Sequence, residues 1–162
     1  MDIMKKYNSI THGRLTEMQV FDQIKDDILS NPDNEFILYV GTDSQTYSKT
    51  KVVSVIALVK KGKGGKYFYT VEILKRTKDL RTKIYNETIY SLEVAKRLVE
   101  YMYDNNLEND VIIHADIGNN KKTGKTHVLI QEIVGWVTAE GFKCQYKPHA
   151  TVASTIADRI SK

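Results

Sequence analysis

Two aspartates stand where strands rich in apolar residues end. Asp43 follows the run FILYVGT, and Asp116 ends the run VIIHAD. In a mixed α/β sheet, ligand sites form at the carboxyl ends of parallel strands. If these two strands are parallel neighbours, the carboxylates repel each other unless a cation binds between them, and oxygen-rich groups suit Mg²⁺ or Mn²⁺. The pair predicts a divalent-metal site; the alternative is that each aspartate only begins a loop through an Asx turn.

A third carboxylate is expected from the long helix predicted over residues 82–105. The strand segment 111–116 advances roughly 16 Å at about 3.3 Å per residue. The helix from Glu93 to its end covers roughly 18 Å at about 1.5 Å per residue. Because helix and strand run in opposite directions, Glu93 is predicted to lie level with Asp116, whereas Glu87 would lie about 9 Å further on. Glu93 is therefore the predicted helix ligand, and Glu87 remains the alternative.

Alternating strands and helices must position these groups. The predicted helices cover residues 15–29, 82–105, 126–140 and 151–160, and the predicted strands cover residues 36–40, 51–60, 66–74, 109–117 and 142–147. The first helix could be capped by Thr16 or Ser9. Three strands in succession predict an antiparallel meander, and the later alternation predicts βαβ units, so we expect a mixed sheet with helices on its faces. Asp158 lies at the margin of the buried face of the last helix, which is a weak signal by itself.

The composition is that of a globular chain with a mild excess of positive charge. The net charge is +4, and lysines cluster in residues 60–66, 75–83 and 121–125, which favours phosphate contacts over solvated loops only slightly. No apolar run is long enough for a membrane span, and the N-terminus lacks a signal-peptide core, so a cytosolic protein is expected. The length predicts a single domain over residues 1–162, with residues 1–34 as an N-terminal helical extension. The single cysteine, Cys144, is expected to pack and not to react.

Two further segments have features of ligand-binding motifs. The stretch GNNKKTGKT at residues 118–126 resembles a phosphate-binding loop, but five residues and not four separate Gly118 from Gly124. Its lysines are more plausibly contacts to a substrate backbone. The aromatic run Tyr67, Phe68 and Tyr69 could stack on bases, although strand alternation predicts that it packs on the sheet, with Phe68 on the face opposite the two tyrosines.

Several short motifs resemble those of the YkuK family of predicted nucleases, within the RNase H-like superfamily. They are GTDSQ at 41–45, YSLEVAKRL at 90–98, HADIG at 114–118, GW at 135–136 and KPHATVASTIAD at 147–158. The resemblance covers the chain from residue 36 onward and includes the N-terminal helix. It implies a five-stranded sheet of order 3-2-1-4-5, with an extra N-terminal helix in this chain. Matched position by position, the acidic site consists of Asp43, Glu93, Asp116 and Asp158.

The resemblance also implies a reaction. A nuclease of this kind hydrolyses nucleic-acid phosphodiesters with two Mg²⁺ or Mn²⁺ ions about 4 Å apart, one activating water and the other stabilising the leaving oxygen. His149 corresponds to a mobile histidine that helps the product to leave. His114 is expected either to orient Asp116 or to fill the core. The alternative function is a catalytically silent module that binds nucleic acid or protein. The motifs leave open whether the nucleic acid is RNA, DNA or a hybrid.

Overall fold

The computed structural model describes residues 5–77, 79–117 and 125–147, together with residues 156 and 160. Within this part of the chain there are seven strands and three helices. In chain order they are β1 (Lys6–Ser9), β2 (Gly13–Thr16), α1 (Glu17–Ser30), β3 (Phe36–Thr46), β4 (Thr50–Lys60), β5 (Gly65–Leu74), α2 (Leu80–Asp104), β6 (Val111–Ala115), α3 (Lys125–Ala139) and β7 (Lys143–Tyr146). The predicted mixed α/β class is confirmed.

The described strands form one mixed sheet in the order β2-β1-β5-β4-β3-β6-β7. Strands β3, β4 and β5 form the predicted antiparallel meander. Strand β6 runs parallel to both β3 and β7. Helix α2 lies in the connection from β5 to β6, and α3 lies in the crossover that the parallel neighbours β6 and β7 need.

The prediction of five strands is wrong, because the N-terminal segment adds a hairpin beside β5. Strand β1 pairs with β2 along its whole length and meets β5 where Asn8 lies opposite Tyr69. The order of the whole sheet therefore differs from 3-2-1-4-5, although the five predicted strands keep that order among themselves as β5-β4-β3-β6-β7. The two added strands have four residues each, which is too short for an alternating pattern to stand out.

Strand β3 is longer than its apolar run. The run ends at residue 40, but each residue from Phe36 to Thr46 has a partner on β4. The polar residues after Val40 are therefore held by the ladder with β4, and not by burial of apolar side chains alone. This extension makes Asp43 part of a strand and not of a loop.

The main core lies between the three described helices and one face of the sheet. Its fully buried members include Ile24 of α1, Leu98 of α2 and Ile133 of α3, which pack with Leu38 and Ile56 of the sheet. Burying a side chain of this size stabilises the fold by about 1.5–3 kcal/mol. The amphipathic patterns of the predicted helices therefore correspond to real buried faces.

A smaller cluster lies on the opposite face of the sheet and is formed by Val53 and Val55 of β4. Successive side chains of a strand point to opposite faces, so these two valines face away from Ile56. Tyr39, Tyr67 and Tyr69 pack against this cluster, as do Ile156 and Ile160. Phe68 is buried on the other face, as alternation predicted. Ile156 and Ile160 are helical, while the other residues of the predicted helix from residue 151 lie outside the described part of the chain.

Side-chain caps determine where α1 and α2 begin. Thr16 accepts a hydrogen bond from the backbone N–H of Gln19 at 3.1 Å, and the Gln19 side chain accepts one from Thr16 N–H at 2.8 Å. Of the two predicted caps, Thr16 is the one used, while Ser9 ends β1. Asp79 caps α2 by accepting from the N–H of Thr82 at 2.8 Å. No described helix is both long and apolar enough to cross a membrane.

Candidate functional site

The register of the parallel strands brings Asp43 and Asp116 to the same level. Gly41 of β3 is the partner of His114 of β6, so the residues two positions further on are also level. Asp43 is fully buried, and the Asp116 carboxyl is 11% exposed. The structure thus places the two aspartates side by side, as the positions of their strands predicted.

The two aspartates interact directly. Burial by itself would raise the pKa of Asp116, but a hydrogen bond with the Asp43 carboxyl and the ion pair with Lys147 hold that pKa below its ordinary value. The Lys147 Nζ atom lies 2.6 Å from Oδ1 of Asp116. Two carboxyl groups this close make each other's negative charge more costly, so this is a site where negative charge is concentrated.

Glu87 is the carboxylate of α2 that lies near Asp43 and Asp116. It lies in the second turn of α2 and is 4% exposed. The backbone N–H of Ser44 donates to its Oε1 at 3.0 Å, and the Ser44 hydroxyl donates to the same atom at 2.7 Å. Among the described residues, none donates a hydrogen bond to Oε2. Glu87 is therefore oriented by the residue next to Asp43, with one oxygen left for another ligand.

Burial dominates the electrostatics of Glu87. Desolvation raises its pKa to about 8, against the opposing effects of Lys83 and the Ser44 hydrogen bond, and the negative charges of Asp43 and Asp116 add to the rise. The interaction with both aspartates shows that the three carboxyl groups are electrostatic neighbours. Such a cluster favours a bound cation because each charge raises the cost of the others.

The placement of Glu93 corrects the length argument. Its side chain is exposed on α2, and Glu87 occupies the position level with the aspartates. The argument assumed that the helix ends where the next strand begins. In fact residues 105–110 connect α2 to β6, and six residues can span roughly 20 Å. The C-terminal end of α2 therefore lies beyond the start of β6. As a result, the residue of α2 that is level with the aspartates is Glu87, six residues before Glu93.

Two lysines supply positive charge beside the carboxylates. The Lys83 Nζ atom lies 3.6 Å from Glu87 Oε1 and 4.0 Å from Asp43 Oδ1. Together with Lys147 at Asp116, it offsets part of the charge of three carboxylates. The sequence indicated Lys83 only as the end of a basic segment. Its spacing of four residues before Glu87, one helical turn, was the available signal.

The donor set fits a hard divalent cation. The three groups are carboxylates, and hard carboxylate oxygens are the donor type that Mg²⁺ and Mn²⁺ prefer. As the side chains stand, no three acidic, histidine or cysteine groups within the described ranges are arranged closely enough to hold a metal ion. The ammonium groups of Lys83 and Lys147 instead provide the neighbouring positive charge.

Polar contacts brace the elements around this cluster. The Thr42 hydroxyl lies 2.8 Å from the Ser91 hydroxyl of α2 and 3.1 Å from the Ser54 hydroxyl of β4. These buried contacts tie β3 to β4 and to α2 one residue before Asp43. The helix that carries Glu87 is thereby held in a defined position along β3.

His114 contacts the neighbouring strands. Its Nε2 atom lies 3.0 Å from the side-chain oxygen of Gln145 on β7, and its ring lies 4.5 Å from the ring of Tyr39. Burial lowers its pKa, opposed by the contact with Gln145. A neutral, buried ring is the form expected of a histidine that packs within a sheet face. The orienting role predicted for His114 stays a prediction.

The remaining predicted site residues lie outside the described part of the chain. They are Asp158 and His149, together with the glycine- and lysine-rich loop at 118–124. Lys125 begins α3. The structure therefore describes four of the five carboxylates discussed for the site, and it brings three of them together, namely Asp43, Glu87 and Asp116.

Comparison with known proteins identifies the family of the chain. The family model described as Ribonuclease H-like matches residues 19–162, and the chain belongs to this family. It is also 29% identical over 169 residues to the uncharacterized protein YkuK of Bacillus subtilis (strain 168), with 96% of each chain covered. The predicted membership of the YkuK family is thus confirmed. No solved structure matches the chain.

Proposed function

We propose that this protein is a nuclease that hydrolyses nucleic-acid phosphodiester bonds and depends on two Mg²⁺ or Mn²⁺ ions. The observation that carries the proposal is a set of three neighbouring carboxyl groups: Asp43 of β3 and Glu87 of α2, which are buried, and Asp116 directly after β6, which is partly buried. Carboxylates buried in this way raise each other's energy. A fold retains them at little cost only if a cation or proton balances them, which is the arrangement a metal-dependent hydrolase needs.

The chain's residues have distinct parts in this proposal. Asp43, Glu87 and Asp116 hold the ions, which when bound lower the pKa of an attacking water and stabilise negative charge on the phosphate. Ser44 keeps the Glu87 carboxylate in place through its two hydrogen bonds. Lys83 moves its ammonium group from the carboxylates to a phosphate oxygen of the substrate.

Asp158 is proposed as a fourth ligand. It stands between Ile156 and Ile160, which pack against Val53 and Val55. Val53 is the cross-strand partner of Asp43, so the two side chains share a face of the sheet. This packing brings Ile156 and Ile160 to the face of Asp43, while the assignment of Asp158 itself rests on the family resemblance. His149 keeps its predicted role in product release, and the cytosolic location also stays a prediction.

The test is a cleavage assay with Mg²⁺ and Mn²⁺ on hybrid, duplex, single-stranded and four-way-junction substrates. Asp43→Asn and Glu87→Gln are each expected to lower the rate more than about hundredfold, since groups that only support metal ligands are already worth about 10–100-fold. Glu93→Gln is the matched control, because Glu93 is exposed on the same helix, and it is expected to leave the rate unchanged.

A second candidate function is a catalytically silent module that binds nucleic acid. Lys83 and Lys147 favour it, because they already offset part of the carboxylate charge. If no substrate is cleaved with either metal, while binding persists in EDTA and in Asp43→Asn, the silent module is correct and the nuclease proposal is wrong.

A further inference from the structure

A basic groove lies at one end of the β3–β4–β5 meander. It has a volume of about 430 Å³ and is formed by the turn between β3 and β4 and by the end of β5. We call it the basic groove and define it by its lining residues, which are Ser48, Lys49, Ile73, Leu74, Lys75 and Arg76. It contains three cationic side chains and, among these lining residues, no acidic one.

The cationic side chains of the groove have no acidic partner. Lys49, Lys75 and Arg76 are exposed, and none of them lies within 4.0 Å of a carboxylate of the described residues. By contrast, Lys66, which lines another cavity, pairs with Asp27 at 2.8 Å. Three unpaired positive charges around one groove repel each other, and a polyanion relieves that repulsion.

Exposed apolar side chains accompany these charges. Tyr47, next to Ser48 in the turn, is 67% exposed, and Ile73 of the groove wall is 58% exposed. Side chains of this kind in water offer flat or apolar surface to a ligand that has both charge and aromatic character. An aromatic ring beside cationic groups is the combination that binds single-stranded nucleic acid, because an unpaired base can stack on the ring.

The groove walls are held together before any ligand binds. Thr50, buried at the start of β4, accepts a hydrogen bond from the backbone N–H of Thr77 at 2.9 Å. Its hydroxyl also lies 3.1 Å from that of Thr46 at the end of β3. These contacts fix the segment after β5 to the β3–β4 turn, so binding does not require ordering of the walls, which lowers its entropic cost.

The groove lies at the same end of β3 as the carboxylate cluster. Asp43 precedes the strand's last residue, Thr46, by three residues, or roughly 10 Å along the strand. On the other side, the segment that follows Arg76 leads within three residues to Asp79, the cap of the helix that carries Glu87. A chain lying in the groove would therefore continue toward the carboxylates.

We infer that the basic groove binds a single-stranded segment of nucleic acid, with its phosphates on Lys49, Lys75 and Arg76 and a base stacked on Tyr47. This inference rests on the proposed function in taking nucleic acid as the ligand of the neighbouring site. It adds a substrate class, because a duplex keeps its bases paired and cannot offer one to Tyr47.

The experiment measures binding of a fluorescently labelled single-stranded oligothymidylate by anisotropy in EDTA, where cleavage cannot occur. Tyr47→Ala is expected to weaken binding about tenfold, the loss of one base–aromatic stack. The double variant Lys75→Glu/Arg76→Glu is expected to weaken it more than about tenfold and to reduce its dependence on salt. Lys63→Glu is the matched control, because Lys63 is exposed in the turn at the opposite end of β4, and it is expected to bind as the unchanged protein does.

The outcomes separate this inference from the proposed function. The inference is overturned if Lys63→Glu weakens oligothymidylate binding as much as the groove variants do. It is also overturned if a duplex of the same length binds more tightly than the single strand. If the groove variants lose binding while the unchanged protein cleaves nothing with Mg²⁺ or Mn²⁺, the inference stands and the nuclease proposal fails. If the groove variants bind and cleave like the unchanged protein, the inference fails and the nuclease proposal stands.

Discussion

At the scale of residues, the fold buries ionisable side chains whose pKa values would be ordinary in water. Glu87 is the clearest case, since desolvation raises its pKa to about 8 while Ser44 and Lys83 act in the opposite direction. Lys83 stands one helical turn from it and also faces Asp43. A carboxyl group this well oriented and this poorly solvated is more consistent with a functional site than with a surface helix.

Cys144 gives a prediction that is independent of the carboxylates. Burial raises the pKa of its thiol to about 11. The thiolate is the reactive form, so at pH 8 its fraction falls roughly hundredfold relative to an ordinary thiol. Alkylation by iodoacetamide is expected to be slower in the native protein by about that factor. The difference should narrow as the pH approaches 11, because the thiolate then forms in the native protein too.

The control for this measurement is the same protein unfolded in urea. The chain has one cysteine, so all modification detected by mass spectrometry is at Cys144. Native and unfolded protein reacting at equal rates at pH 8 would contradict a buried thiol. The interpretation of Cys144 as a packing residue would then have to be abandoned.

At the scale of elements, α2 joins the carboxylate site to the N-terminal hairpin and α1. Its first turns carry Lys83 and Glu87, and three turns later Arg97 reaches Glu17 of α1, with Nε 2.6 Å from Oε1. Glu17 is 4% exposed and also accepts a hydrogen bond from the hydroxyl of Tyr7 at 3.0 Å. Polar contacts at Glu87 and at Arg97 thus fix the position of α2 along its own axis.

Arg97→Met is expected to destabilise the protein by about 3–5 kcal/mol, because it leaves the buried Glu17 carboxylate without its cationic partner. The measurement is urea unfolding followed by circular dichroism. Lys96→Met is the matched control on the same helix. Its ion pair with Glu140 has a similar length of 2.7 Å but is half exposed, and such pairs contribute about 0–1 kcal/mol.

The double variant Glu17→Gln/Arg97→Met separates a buried ion pair from simple loss of packing. Removing the unpaired carboxylate is expected to recover part of the stability lost in Arg97→Met. If the single and double variants are equally unstable, the contribution of Arg97 is packing of its aliphatic chain, and the ion-pair argument is wrong.

At the scale of the whole molecule, the continuous sheet favours one folding unit. The hairpin β1–β2 continues the sheet beyond β5, and the buried side chains of α1, α2 and α3 belong to one core. We propose that residues 1–162 fold as a single domain, with the N-terminal segment as an integral part. The hairpin pairs with β5 where Asn8 lies opposite Tyr69. Because this pairing is short, the hairpin is the part of the sheet where the single-domain proposal is tested most sharply.

A single domain is expected to unfold in one cooperative transition. Urea curves from circular dichroism and from the fluorescence of Trp136 should coincide, since Trp136 is the only tryptophan and lies in α3, far along the chain from the hairpin. Two separated transitions would show that the N-terminal segment, or the part of the chain around α3, folds as a unit of its own.

Much of the fold follows from local patterns. Apolar periodicity predicted the three described helices, the meander and the parallel strands, because each pattern reflects burial of one face of one element. The proximity of Asp43 and Asp116 was predicted from the apolar runs that precede them, and the register of β3 with β6 places them level, although β3 continues past Asp43 to Thr46. For this proximity the chain's own sequence was sufficient, since the two runs form parallel neighbours.

Only the tertiary structure decided between Glu93 and Glu87. The choice depends on how far α2 extends beyond the start of β6, and the path of residues 105–110 is not encoded by any periodic pattern. The same holds for the hairpin, whose short strands depend on pairing with β5, and for the contacts of Lys83 with Asp43 and of Lys147 with Asp116. These features arise from contacts between residues distant in sequence, and local propensity carries no information about such contacts.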